Sequence, residues 1–198
     1  MGSDPLFLAC TATTIESRLL VKAGIPVLVT GIGPVSAAIA LTRYLAHQNV
    51  ERIVICGVGG AYPQSGLAIG DVVSATSETF GDLGAESPDG FLDTEALGFD
   101  TPSTFDLDLF PTEHRAPFVT CSTCTGTDER ARVLRERTGG SVESMEGAAL
   151  VQVAQEFNVP VGEIRGISNP VGNRNRSAWR IEEAAVAAQE ALLSWLKD

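Results

Sequence analysis

Histidine, cysteine and long apolar runs are all scarce in this sequence. Its 198 residues hold two histidines, His47 and His114, and four cysteines. A structural zinc site takes four Cys or His ligands, so the C-x-x-C of "CSTC" at 121–124 has only those two histidines to complete it. The expectation is a pair of reduced thiols near a strand end, with no metal. Cys10 and Cys56 fall inside apolar runs, where a thiol behaves as a small hydrophobe. No apolar run approaches the roughly 20 residues that span a bilayer, and the N-terminus lacks the basic start and apolar middle of a signal peptide. A soluble cytoplasmic protein with no membrane partner is expected. Cations are also in deficit, 14 Lys and Arg against 25 Asp and Glu for a net charge of −11. A phosphate backbone is gripped by clustered Lys and Arg, so nucleic acid is excluded as a partner.

The chain is 44% hydrophobic and 20% charged, enough to bury one full core, and a single domain over 1–198 is expected. Short β-branched or apolar runs recur at 5–10 (PLFLAC), 25–30 (IPVLVT), 52–57 (RIVICG), 71–77 (DVVSATS), 117–122 (PFVTCS) and 160–168 (PVGEIRGIS), and they read as strands. Helix-period segments lie between them: 34–48 opens with proline at its first turn, 128–137 forms another, and 145–157 repeats apolar residues at Leu150, Val153, Ala154 and Phe157. The last segment sets Ile181, Ala184, Ala185, Ala188, Leu192 and Trp195 on one face, with Glu182 and Glu183 at the positive end of its dipole. Strands alternating with helices predict an α/β fold, a mixed, largely parallel sheet flanked by helices, with ligands bound where strand ends open into loops.

One stretch, 81–115, breaks the alternation. It is rich in Gly, Pro, Asp and Glu, with Phe91, Phe99, Phe105 and Phe110 scattered through it. An irregular insertion of that length is a lid, an interface element or a partly disordered segment.

Two glycine clusters follow strands. "TGIGPVSAA" imitates the dinucleotide pattern through Gly31, Gly33 and Ser36, but its third position is not Gly or Ala and no acidic residue ends the next strand. The plain reading is a tight strand-to-helix turn, and no cofactor is expected. "CGVGGAYP" at 56–63 is either a turn or a place where a ligand approaches the backbone. Three polar residues stand better placed: Glu16 just past the first strand, Glu146 at a helix start, and Asn169 at a strand end before Pro170. Each has a bland alternative, a solvated helix-start carboxylate or a turn residue.

Taken in order, "GIG" before a helix, "GVGGA" after a strand, a first strand leading to Glu16, "MEGAA" opening a helix, and "RGIS" followed by Asn resemble the nucleoside phosphorylase and nucleosidase superfamily over nearly the whole chain. Within it, "CTATTIES", "TFGDLGAESPDGF" and "GISNPVGNRN" followed by Trp179 are similar to the futalosine hydrolase family of menaquinone biosynthesis. The nucleosidases that cleave methylthioadenosine and adenosylhomocysteine carry Asp where Asn169 stands.

The resemblance implies hydrolysis of a purine N-glycosidic bond. Glu16 would activate the attacking water. Glu146 would accept from the ribose hydroxyls with Met145 against the sugar, and Val58, Gly59, Gly60 and Ser144 would line the base pocket. Asn169 has no useful pKa, but its amide can donate to O6 of a 6-oxopurine and accept from N7–H, where an ionised carboxylate would set lone pair against lone pair. Hypoxanthine or guanine, not adenine, is then the expected base. The carboxylate at futalosine's far end would meet Arg174, Arg176 or Arg180, with Trp179 as a wall; ordinary surface arginines are the alternative. The partner is a small purine nucleoside, and the resemblance implies a homo-oligomer, a dimer or larger. A phosphorylase, an adenine-specific nucleosidase and a non-catalytic nucleotide-binding module are the competing readings.

Overall fold

A computed structural model describes residues 7–107 and 112–197; Pro5, Leu6 and Phe110 lie outside the described residues. The chain runs β1 (Phe7–Thr11), α1 (Arg18–Lys22), β2 (Val27–Val29), α2 (Pro34–Leu45), β3 (Arg52–Ala61), β4 (Val72–Phe80), β5 (Gly84–Ser87), β6 (Gly90–Asp93), β7 (Thr104–Asp106), β8 (His114–Thr120), α3 (Asp128–Thr138), β9 (Val142–Ser144), α4 (Gly147–Glu156) and β10 (Val161–Pro170). A 3₁₀ turn (Arg176–Ala178) then leads into α5 (Ile181–Trp195). No helix among the described residues is long and apolar enough to cross a membrane.

The long strands β3 and β10 form the spine. They pair in parallel over 53–61 and 161–170, while the other edge of β3 takes β1 along its first half and β9 at Gly60 and Ala61. β10 continues to β4, β4 to β8, and β8 to β9. The sheet therefore closes upon itself through β3, β10, β4, β8 and β9, with β1 and β2 as an open extension. Parallel pairings predominate, as the alternation of strands and helices predicts.

Burial on both faces follows the two-residue period of a strand. Leu8, Cys10, Ile53 and Ile55 pack with Leu41 of α2 and Leu150, Val151 and Ala154 of α4. Their neighbours Ala9, Val54 and Cys56 pack on the other side with Leu20 of α1 and Ala188 and Leu192 of α5.

The 81–115 stretch is more regular than its composition suggests. "SPDG" turns β5 back onto β6 as a hairpin, β7 adds antiparallel to β4, and β8 starts as early as His114. Proline and Asp-Gly favour such a tight turn, and Phe105 is buried, packed edge-on to Phe80. Among the described residues, none of this stretch lines the cavity described next.

Candidate active site

A cavity of about 330 Å³ opens where the ends of β1, β3, β9 and β10 meet the start of α4. It brings together Glu16, Val58, Gly59, Gly60, Ser144, Met145, Glu146, Asn169 and Trp179, residues scattered over most of the sequence.

Glu16 sits in the turn between β1 and α1 and is only 4% exposed, so it is not a solvated helix-start carboxylate. Its Oε2 accepts from the Thr13 N–H and the Thr13 hydroxyl, both at 2.8 Å, and its Oε1 accepts from the Val58 N–H at 2.9 Å. A carboxylate offers about four lone-pair sites. Three are taken here, which leaves one on Oε1 for a cavity ligand.

Arg165, on β10, lies at the centre of the acidic side chains and is fully buried. Its Nε donates to Glu163 Oε1 at 2.7 Å and its Nη1 to the Val58 carbonyl at 3.3 Å, and its Nη2 stands 3.8 Å from Glu146 Oε2. Burial opposes the charge, but Glu163, Glu146 and Glu16 together raise the guanidinium above its ordinary pKa. Arg165 is a fixed cation shared by three carboxylates.

Glu146 precedes α4 without capping it. Its Oε1 accepts from the Gly33 N–H at 2.9 Å. Burial lifts its carboxyl above the ordinary carboxylate range, and Arg165 and the Gly33 N–H pull it back. The "GIG" glycine at 33, with φ of 90°, therefore aims its N–H at a side chain of this site. That is a different task from cradling a dinucleotide phosphate.

The second glycine cluster makes room chiefly for side chains. A Cβ on Gly57 would lie 2.5 Å from Glu16 Oε1 and 2.6 Å from Arg165 Nη1, and one on Gly60 3.1 Å from Asn169 Nδ2. Gly57→Ala is expected to displace both charged groups and lower kcat/KM by about 10²-fold, the cost of a misplacement near 1 Å. Steady-state kinetics beside a thermal melt checks this; unchanged kinetics would remove the Glu16–Arg165 pair from the chemistry.

Asn169 is the next-to-last residue of β10. The ladder to β3 shifts register between Ile167 and Asn169, and such a bulge re-aims side chains, so the successive residues Ser168 and Asn169 both line the cavity. Asn169 Nδ2 donates to the Pro170 carbonyl at 2.9 Å. Its Oδ1 accepts from the Ser168 hydroxyl at 2.8 Å, the shorter of that hydroxyl's contacts; Gly59 O lies at 3.2 Å. A carbonyl cannot donate, so Pro170 pins the nitrogen to its own side and settles which way the amide faces. One N–H and one acceptor site stay free.

Trp179 lines the cavity, and Arg174 stacks on it 4.9 Å from the ring centroid while its Nη1 reaches Cys124 Sγ at 3.6 Å. Arg174 is thus a rim residue. Arg176 does not line the cavity: it lies in the exposed 3₁₀ turn beside an adjoining groove that shares Trp179 and Ile181 with the cavity and is lined also by Arg180, Glu182 and Glu183. Of the three candidate arginines, Arg174 sets its guanidinium against side chains of the cavity wall, while Arg176 and Arg180 share their groove with Glu182 and Glu183 of α5.

Beneath Arg165, Glu78 of β4 and Glu163 of β10 are both fully buried. Glu78 Oε2 accepts from the Thr120 hydroxyl at 2.9 Å. Glu78 Oε1 and Glu163 Oε2 receive no N–H or O–H donor and converge on the space over Gly147, where a Cβ would meet them at 2.0 and 2.6 Å. Two carboxyl groups placed so share a proton. It belongs to Glu78, whose pKa is raised well above the ordinary 4.5 by burial and by the charge of Glu163. The folded state keeps a proton that the unfolded chain releases, so stability declines as pH rises above about 4.5 towards the raised value. Glu78→Gln, which keeps a donor towards Glu163, is expected to flatten that decline in melting temperatures measured across the pH range. A mutant curve parallel to wild type would place the proton elsewhere.

Sequence reading passed over Arg165 itself, Glu143, Thr13, Ser168 and the Glu78–Glu163 pair. One signal was available: Glu163 and Arg165 stand two apart in an otherwise apolar strand, which puts opposite charges on one buried face.

The sequence profile of the phosphorylase superfamily matches residues 13–197. Futalosine hydrolase of Streptomyces coelicolor is 40% identical over 182 residues, covering 85% of this chain and 77% of its own, and that of Thermus thermophilus is 35% identical over 186 residues, covering 88% and 82%. The chain belongs to the futalosine hydrolase family of the phosphorylase superfamily. The 5′-methylthioadenosine/S-adenosylhomocysteine nucleosidase of Shewanella denitrificans is more distant, at 31% over 175 residues, covering 76% of this chain and 71% of its own. Among solved structures, a Helicobacter pylori nucleosidase of that type superposes with a TM-score of 0.86 at 18% identity, covering 99% of both chains. Identity that low speaks for the shared fold of this futalosine hydrolase family member, and for the fold alone.

Proposed function

We propose that this protein hydrolyses the N-glycosidic bond of futalosine, releasing hypoxanthine, as a step in menaquinone biosynthesis. The observation that carries the reading is Asn169, an amide oriented by Ser168 and Pro170 with one donor and one acceptor left for a base. A 6-oxopurine offers O6 to the free N–H and, as the bond breaks, N7–H to the free Oδ1 site.

In the proposed reaction Glu16 takes a proton from water, the water oxygen bonds to C1′, and the C1′–N9 electron pair moves into the purine, which gains a proton at N7. That proton comes from solvent or through a relay, because an amide cannot supply it. Glu146 accepts from the ribose hydroxyls, and its negative charge suits the cationic sugar of the transition state. Met145, Ile32 and Ile181 supply apolar wall. Arg174 at the rim would meet the distal carboxylate with Trp179 beside it.

Water is favoured over phosphate because Arg165 is the one cation among the described residues lining the cavity, and three carboxylates already surround it. A phosphate entering there would face Glu16 and Glu146 at close range. The test is a panel of futalosine, inosine, methylthioadenosine and adenosylhomocysteine, each with and without phosphate, with free base read by chromatography. Hypoxanthine released from futalosine without phosphate is the expected result. Release that requires phosphate, or adenine as the only product, overturns the reading.

The proposal includes a homo-oligomer formed through the outer face of α2. Val35 is 71% and Ile39 54% exposed, and Ile32, 61% exposed, belongs both to this face and to the cavity wall. A second copy covering these residues would hide an apolar patch and narrow the cavity mouth together. Sedimentation is expected to show a dimer or larger that Ile39→Glu dissociates; a monomeric wild type would refute this.

A further inference from the structure

We infer that Glu143 is the second base-reading residue of the site, accepting a hydrogen bond from N1–H of a 6-oxopurine while Asn169 holds O6 and N7. The inference deepens the proposed function and rests on its 6-oxopurine reading.

Sheet register sets the pair in one row. Gly60 on β3 is the direct partner of Asn169 on β10 and of Glu143 on β9. Residues directly opposite across strands lie on the same face, and two strand spacings put the outer Cα atoms about 10 Å apart. Gly60 between them carries no side chain, and the space above it is shared by Val171 Cγ2 and Asn169 Nδ2, which a Cβ there would meet at 2.7 and 3.1 Å; Gly60, Asn169, Glu143 and Val171 all line the cavity. A planar base seated against Val171 between the two polar groups would present one edge to both.

Counting acceptors gives Glu143 its task. Its Oε2 accepts from the Tyr62 hydroxyl and from the Thr125 hydroxyl, each at 2.6 Å, and its Oε1 accepts from the Thr125 N–H at 2.8 Å. Three lone-pair sites are filled and one remains on Oε1. Glu143 is 6% exposed, and among the described residues no Lys or Arg forms an ion pair with it. A nearly buried carboxylate without a cation is costly to keep, and a simple hydroxyl anchor for Tyr62 and Thr125 would not need the charge. A 6-oxopurine carries a proton on N1. Adenine carries a lone pair there, which would face the lone pair of Oε1. Glu143 and Asn169 thus refuse adenine at two separate atoms.

The test is calorimetric binding of hypoxanthine, 1-methylhypoxanthine and adenine to wild type and to Glu143→Gln. The Tyr62 and Thr125 hydroxyls on Oε2 can accept as well as donate, whereas the Thr125 N–H on Oε1 can only donate, so the glutamine nitrogen takes the Oε2 place and N1–H meets a neutral oxygen in place of a charged one. Wild type is expected to bind hypoxanthine more tightly than 1-methylhypoxanthine by about 10–100-fold, the worth of one hydrogen bond to a charged group. In Glu143→Gln the preference for hypoxanthine over adenine should shrink by about three- to tenfold, the difference between a hydrogen bond to a charged and to a neutral acceptor. A purely structural role would weaken both bases equally and leave their ratio alone, and that result overturns the inference, as does equal wild-type affinity for hypoxanthine and its 1-methyl derivative. The methyl comparison needs no variant, so it decides the matter even if Glu143→Gln folds poorly. Should wild type prefer adenine outright, the 6-oxopurine reading itself fails. If it prefers hypoxanthine but ignores the N1 methyl, only Glu143 is removed.

Discussion

Asn169→Asp is expected to lower kcat/KM for futalosine by about 10³-fold or more, because sites built to pair one polar pattern reject its complement by up to ~10⁴–10⁵-fold. The loss has two sources in the geometry. The new carboxylate oxygen takes the place of Nδ2, 2.9 Å from the Pro170 carbonyl, where acceptor now faces acceptor. The same group then meets O6 of the base with lone pairs on both sides. The first conflict is local and costs about 1–3 kcal/mol, the usual penalty of an unsatisfied buried group, so the protein still folds. The second falls on the substrate. Kinetics with futalosine and with its 6-amino analogue separates them: the variant should lose the former far more than the latter, since an amino group at C6 can donate to the new carboxylate. Equal losses on both substrates would mean that Asn169 only shapes the strand.

Glu16→Gln is expected to lower kcat by about 10²–10⁴-fold, the range of a general base, with KM changed only a few-fold. Thr13 donates to Oε2 from its N–H and its hydroxyl and Val58 to Oε1 from its N–H alone, so the glutamine carbonyl keeps more of these bonds on the Thr13 side. The amide nitrogen then replaces Oε1, facing the Val58 N–H that Oε1 accepts from and presenting a donor to the water it should deprotonate. A drop in kcat with preserved KM is the mark of an interaction made in the transition state. Steady-state kinetics beside calorimetric binding of hypoxanthine checks the split, and kcat within a few-fold of wild type would hand the base role to another group.

Much of this architecture was legible because its strands are apolar runs closed by glycine or proline and its helices carry a 3.6-residue stripe. The shorter pieces escaped for a physical reason. β7 has three residues and α1 five, too few for any period to show, and both are held by tertiary contacts. β10 was expected to end at 168, yet the bulge at Ile167 and Asn169 lets it continue through Pro170, whose missing N–H the ladder there does not need. The polar centres Glu16, Glu146 and Asn169 were visible as acid and amide residues beside strand ends. What surrounds them was not. Gly57 stood in a cluster that read as either a turn or a ligand-approach site and proves to admit Glu16 and Arg165, and Glu143 carried no signal until β9 placed it in register with Gly60.

The most direct measurement of the central claim is the ratio of kcat/KM for futalosine to that for its 6-amino analogue on the wild-type enzyme without phosphate. With Asn169 held by Ser168 and Pro170 to offer one donor and one acceptor, the 6-oxo substrate should be favoured by about 10³-fold or more. A ratio near one, or a preference for the 6-amino compound, would contradict the account.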